Sequence, residues 1–152
     1  MITDFDFLVG EWKVLNTRLS QWLCDNRQWI EFDSHHVEKR LQSGTGNFAW
    51  HQYVLSNTLC ERSILRLYEQ ASDFWSINRL DAMTGLLMAP LTGTFWKNKG
   101  SFLSKGQFAG KEVLVWVEWT RICKTYACWE QAMSSNDGRT WENNWVMEFY
   151  RE

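Results

Sequence analysis

Apolar and polar residues alternate with a period of two along most of the chain. Runs rich in Val, Ile, Leu, Tyr, Phe and Trp are broken by short turn signals. The pattern predicts strands over 11–19, 28–33, 35–42, 47–55, 62–69, 74–80, 86–95, 100–106, 111–121, 126–134 and 141–150. Turn chemistry falls between them at Ser43-Gly44-Thr45-Gly46-Asn47, Thr84-Gly85, Asn98-Lys99-Gly100, Ala109-Gly110 and Asn136-Asp137-Gly138. The gaps are too short for crossover helices, which excludes parallel βαβ units. One helical turn is predicted over Asp4–Leu8, where Phe5 and Leu8 would cap one end of the structure. No linker, low-complexity run or internal repeat divides the chain, so residues 1–152 read as a single domain.

The two ends match each other. The N-terminal segment is Phe5-Asp6-Phe7-Leu8-Val9-Gly10-Glu11-Trp12, and the C-terminal one runs from Trp141 through Trp145 and Phe149 to Arg151. First and last strands that pair with each other leave no open edge. The fold class expected is therefore all-β: one closed, antiparallel up-and-down barrel of about ten strands with a short N-terminal helical turn. A barrel of that size can hold a ligand inside.

Charge and composition remove several function classes. Sixteen basic against eighteen acidic residues give a net charge of −2. No cluster of Lys or Arg forms a nucleic-acid footprint. Met1-Ile2-Thr3-Asp4 lacks the basic start of a secretory signal. The most apolar stretch, Leu86 to Leu91, is too short to span a bilayer. The expectation is a cytoplasmic protein with no nucleic-acid and no membrane partner. Cys24, Cys60, Cys123 and Cys128 follow no metal spacing and read as free thiols. Eleven tryptophans spread along the chain suit a barrel wall to which every strand contributes.

The short motifs carry little chemistry. Gly44-Thr45-Gly46-Asn47-Phe48-Ala49 formally matches a dinucleotide fingerprint, but an aromatic strand follows it where a helix is required. Ser134-x-Asn136-x-Gly138-x-Thr140-Trp141 resembles the Asp-box of sialidases and other β proteins, with Asn136 in place of the usual Asp. That box is a self-supporting hairpin, structural where it occurs. Adjacent His35 and His36 point to opposite strand faces and cannot share a metal, and His51 stands alone in the sequence. A lone His serves as axial haem ligand in the lipocalin-like nitrobindins, but the expectation is no cofactor, haem included, and no metal. Nothing forms a nucleophilic triad.

The remaining signal is polar residues in phase with apolar ones. Trp12, Val14, Asn16 and Arg18 share a face, as do Ile64, Arg66 and Tyr68, and Trp75, Ile77 and Arg79. An even-sized turn at Asp137-Gly138 would set Trp129, Gln131 and Met133 beside Glu142, Asn144 and Val146. Inward charges need partners or solvent. The candidate ligand-binding set is therefore Arg18, Arg66, Trp75, Trp129, Gln131, Glu142 and Asn144, around a lumen in which Glu142 is the counter-ion. The opposite parity, with Trp141, Trp145, Met147 and Phe149 filling the interior, is equally compatible with the alternation.

Phe5 to Val14, Leu65-Arg66-Leu67-Tyr68, Phe74-Trp75-Ser76-Ile77, Thr92-Gly93-Thr94-Phe95, Trp129-Glu130-Gln131-Ala132 and Trp141 to Phe149 together resemble an uncharacterised bacterial family of lipocalin-like proteins. The resemblance spans nearly the whole chain. It implies a calycin-type barrel with Arg151 over or near Trp12, and it implies no activity. Residues 20–27 leave no room for the two helices of fatty-acid-binding proteins. The leading expectation is non-covalent binding of a small, partly apolar molecule with a polar or anionic end. Arg18 and Arg66 would meet its charge, and Trp75 and Trp129 would form the walls. An isomerase or hydrolase using Glu142 as acid or base is the second reading. The third is an oligomeric interaction module with a filled core, such as a homodimer.

Overall fold

The computed structural model describes residues 2–152. A 3-10 turn, Asp6–Leu8, precedes eleven strands: β1 Gly10–Leu19, β2 Trp29–Arg40, β3 Gly46–Leu55, β4 Thr58–Glu69, β5 Phe74–Asp81, β6 Leu86–Leu87, β7 Leu91–Trp96, β8 Lys99–Phe108, β9 Lys111–Thr120, β10 Tyr126–Ser134 and β11 Glu142–Arg151. Every pairing is antiparallel. Ten strands close a ring in which β5 joins β4 to β7 and β11 returns to β1, and β6 is a two-residue addition to β5.

Closure rests on the matching ends. Trp12 lies opposite Arg151 in the β1–β11 register. The Arg151 guanidinium sits 4.2 Å from the Trp12 ring centroid and donates to the carbonyls of Val9 and Phe7 at 2.7 and 2.6 Å. Gly10 adopts φ +125, and a Cβ there would meet Arg151 Nη1 at 2.6 Å. Glycine is therefore required both for the backbone and for the space the arginine crosses.

Two departures from the predicted elements have clear causes. The break expected at Ser34 does not occur, because Ser34 Oγ accepts a bond from Asn16 Nδ2 at 2.8 Å across the β1–β2 pair, and β2 runs on as one strand. Conversely, 86–95 is two elements. Pro90 has no N–H to give a ladder, and pairing resumes at Leu91.

The lumen is plugged at the end where the chain begins. Phe5 and Leu8 are buried, and Phe5 meets Trp75, Phe95 and Phe102 at ring-centroid distances of 4.9, 4.8 and 5.7 Å. Trp12 Nε1 donates to Leu8 O at 2.7 Å, which ties the turn to the first strand. The predicted N-terminal cap is thus present, shortened to one 3-10 turn. At the other end the β1–β2 connection folds back, and Trp22 lies 6.0 Å from Trp145 and 5.6 Å from Phe108. The Asp-box-like hairpin supports itself. Ser134 Oγ accepts from Gly138 N at 2.8 Å, Asn136 Oδ1 accepts from Thr140 N at 3.0 Å, and Trp141 packs on Trp116 outside the lumen.

Candidate functional site

Between the aromatic plug and Trp145 the barrel interior becomes polar. β2 turns Ser34, His36 and Glu38 inward, β3 turns His51 and Tyr53 inward, and β4 and β5 contribute Arg66 and Arg79; all seven are buried. Glu38 is the one buried carboxylate among the described residues. Arg66 Nη1 donates to both its oxygens at 2.7 and 2.6 Å. His36 Nε2 lies 2.8 Å from Glu38 Oε1, and His36 Nδ1 lies 3.0 Å from His51 Nδ1. His51 therefore does not stand alone: the antiparallel register sets it directly opposite His36. His35, on the other face of β2, is exposed near Glu11 and Glu152.

Electrostatics follow from this burial. Desolvation pushes both histidines below their ordinary value, His51 far below, and His51 also faces Arg62 and Arg66. Burial opposes ionisation of Glu38, but Arg66 and His36 together outweigh it and hold the carboxyl below its usual value. Arg79 is pushed down to about 10 by burial and by the neighbouring Arg62 charge. Among the described residues no carboxylate lies within 4.0 Å of Arg18, Arg62 or Arg79. Arg79 Nη2 reaches only the Ala89 carbonyl, at 3.3 Å. The Nε atoms of Arg18, Arg66 and Arg79, and Nε2 of His51, are buried without a hydrogen-bond partner. Native interiors rarely leave such groups unsatisfied.

These groups border a cavity of about 50 Å3, walled by His51, Arg62, Arg66, Arg79, Trp129 and Trp145 among others. At roughly 10–15 Å3 per water, that is room for a few waters or one small anion. It is far below the ~300 Å3 and more of a drug-sized site, so a porphyrin does not fit this arrangement although His51 Nε2 has no partner within the protein. A larger open groove of about 800 Å3 lies where β8 ends, β9 begins and β10 ends, past Lys105, Glu112, Asn136 and Arg139. Its charges are mixed, and apart from Ser134, which the hairpin uses, it has no buried polar side chain.

The candidate residues divide. Arg66 and Trp129 line the cavity. Arg18 is interior but higher, stacked at 4.9 Å on Trp145, 5.5 Å on Phe32 and 5.6 Å on Trp22. Gln131 is buried and donates to Asn144 Oδ1 at 3.0 Å. Trp75 belongs to the plug, where Nε1 donates to Asp4 Oδ2 at 3.0 Å. Glu142 sits at the rim, and both its oxygens accept the Leu23 N–H, at 3.0 and 3.1 Å. Glu38, not Glu142, is the counter-ion of Arg66.

The difference arises at one irregularity. The β10–β11 register slips between Gln131 and Ala132, so that Trp129 faces Met147 and Gln131 faces Trp145. A bulge shifts side-chain phase on one strand. Trp145, Met147 and Phe149 thereby turn inward together with Arg66 and Gln131, and the interior combines parts of both parities considered from the sequence. Glu38, Arg62 and Tyr53 escaped the sequence reading, and His36 and His51, weighed there only as metal or haem ligands, were left out of the candidate set. Their signal was present as the inward set Ser34-His36-Glu38, but the opposite face of β2, with Asp33, His35 and Lys39, is equally polar.

No family model and no curated protein matches the chain. Among solved structures it is similar to an S-type phycobiliprotein lyase from Guillardia theta, at 10% sequence identity and a TM-score of 0.65, over 97% of this chain and 90% of that one. At that identity the likeness establishes a shared fold and nothing about chemistry.

Proposed function

We propose that the barrel binds a small molecule non-covalently through an anionic end held in the lumen by Arg62, Arg66 and Arg79, with Trp129 and Trp145 as apolar walls. One observation carries this reading: the interior buries guanidinium groups in excess over its one carboxylate. Arg66 is matched by Glu38, while Arg62 and Arg79 repel each other and have no counter-ion. Arg62 is half-buried and Arg79 buried; a cation withdrawn from water without a counter-charge is costly, and a bound anion offsets that cost. The barrel shared with a phycobiliprotein lyase is compatible with ligand binding and does not select the ligand. An acid–base role for Glu142 has less support, because its carboxylate is occupied by the β1–β2 connection.

The test is calorimetric titration of inorganic phosphate and acetate into the purified protein at low salt. Wild type should give a saturable site with at least one of them, and Arg79→Met should weaken it by about tenfold or more, the scale of one charge-assisted bond. Native mass spectrometry of freshly purified protein should show a retained small anion. Absence of saturable binding by either probe, with no retained molecule, would overturn the reading.

A further inference from the structure

The buried polar chain has a direction. Glu38, held by both contacts from Arg66, is ionised and can only accept, so His36 Nε2 carries the proton in the 2.8 Å bond between them. His36 is neutral, so its Nδ1 is a bare lone pair. His51 Nδ1, 3.0 Å away, must therefore be the donor in that contact. A neutral His51 that is protonated on Nδ1 has no proton on Nε2. That atom is buried, unpartnered and on a residue that lines the cavity, and His51 is only 5% exposed. The guanidinium groups around it offer donors alone. Beside the Tyr53 hydroxyl, which can donate or accept, the lumen presents guanidinium donors and the His51 Nε2 acceptor, and that acceptor is fixed as such by three residues behind it.

We infer that the ligand of the lumen is an oxyanion that brings its own O–H donor, as a 2-hydroxy carboxylate or a hydrogen phosphate does. The anionic oxygens meet Arg62 and Arg79, and the O–H donates to His51 Nε2. The inference rests on the anion-binding reading above and sharpens it. An anion of equal charge without a donor leaves His51 Nε2 buried and unsatisfied, and sites built around a polar partner reject analogues that lack it. The cavity of about 50 Å3 sets the scale at a few heavy atoms.

Two matched pairs of probes test it: glycolate against acetate, and inorganic phosphate against sulfate, each titrated calorimetrically at neutral pH. Glycolate should bind about tenfold or more tightly than acetate, and phosphate than sulfate. The two pairs also distinguish a carboxylate site from a phosphate site. His51→Leu should abolish the preference, and His51→Gln, which keeps an acceptor, should retain part of it. Equal binding within both pairs in wild type, or a preference that survives His51→Leu, would overturn the inference while leaving anion binding intact. If no probe binds, both fall together. Should His51→Leu not fold, nitrogen-15 NMR of wild-type histidines decides the point. His51 should be protonated on Nδ1 and bare on Nε2, and a proton on Nε2 would sink the argument.

Discussion

Replacing Arg66 by Met isolates the buried ion pair, because Met keeps most of the bulk and removes the charge. Glu38 would then sit fully buried with only the His36 Nε2–H as partner. Breaking a buried pair from one side costs about 3–5 kcal/mol. The structure bounds the figure independently, because Glu38 can escape by taking up a proton. At 1.36 kcal/mol per pH unit, holding it protonated at pH 7 against an ordinary value of 4.5 costs about 3.4 kcal/mol. The same step at pH 5 costs about 0.7 kcal/mol. The sign follows from the shift. In the variant the folded-state value rises above the unfolded one, so the penalty relative to wild type grows as pH rises above about 4.5. Lost stacking of Arg66 on Phe5, at 5.1 Å, adds a part that does not depend on pH.

The assay is urea unfolding followed by Trp fluorescence at pH 5 and pH 7 for wild type, Arg66→Met, Glu38→Gln and the double variant. We expect Arg66→Met to lose about 3 kcal/mol at pH 7 and markedly less at pH 5. The double variant should recover most of that loss, since an amide in place of the Glu38 carboxylate leaves no uncompensated charge and still accepts from His36. A loss that is the same at both pH values, or a double variant whose loss equals the sum of the singles, would refute the pairing.

Two further outcomes follow from the same interior. Wild-type stability should fall by about 1–2 kcal/mol between pH 7 and pH 5.5, because burial lowers both His36 and His51 while the unfolded chain takes up protons near pH 6.5; stability is complete above that value and is lost progressively below it, and a flat urea midpoint across this window would show that the pair is not buried neutral. Trp12→Ala should cost about 3–5 kcal/mol, since the ring is fully buried under Arg151 and its Nε1 bond to Leu8 O anchors the N-terminal plug; an unfolding midpoint equal to wild type would remove Trp12 from the core.

The barrel was legible in the sequence because closure is written locally. Gly10-x-Trp12 and a terminal Arg151 act through neighbouring backbone and one ring, and the turn residues act through their own dihedrals. Facing was legible where a strand has one apolar face, as with Trp12, Val14 and Asn16, or Trp75 and Ile77. It failed on β2, where both faces are polar, and on β11, where the slip after Gln131 reverses the phase. Periodicity is blind to such a bulge, because the extra residue changes no residue type.

The site was hidden for a related reason. Glu38, Arg66, His36 and His51 lie on three consecutive strands, and no two of them form a sequence motif. Only the register makes them a chain: His36 stands opposite His51 on β3, and Arg66 lies opposite Asn47, four residues back along that strand, so that its long side chain reaches across β3 to Glu38. Such residues look like surface charge in one dimension. What distinguishes them is that each would be expensive inside alone, and that three of the four have their charge or tautomer set by the next. The partnership ends at His51 Nε2 and Arg79 Nε, which have no hydrogen-bond partner, and at the guanidinium groups of Arg62 and Arg79, which have no carboxylate within 4.0 Å among the described residues. An interior meant only to be filled would favour apolar residues there, as the plug does around Phe5, whose ring lies 5.1 Å from the Arg66 guanidinium. The unmatched donors and the oriented acceptor at His51 are therefore the part of the barrel that packing does not explain, and that is why the ligand is sought at this point and not in the wider groove.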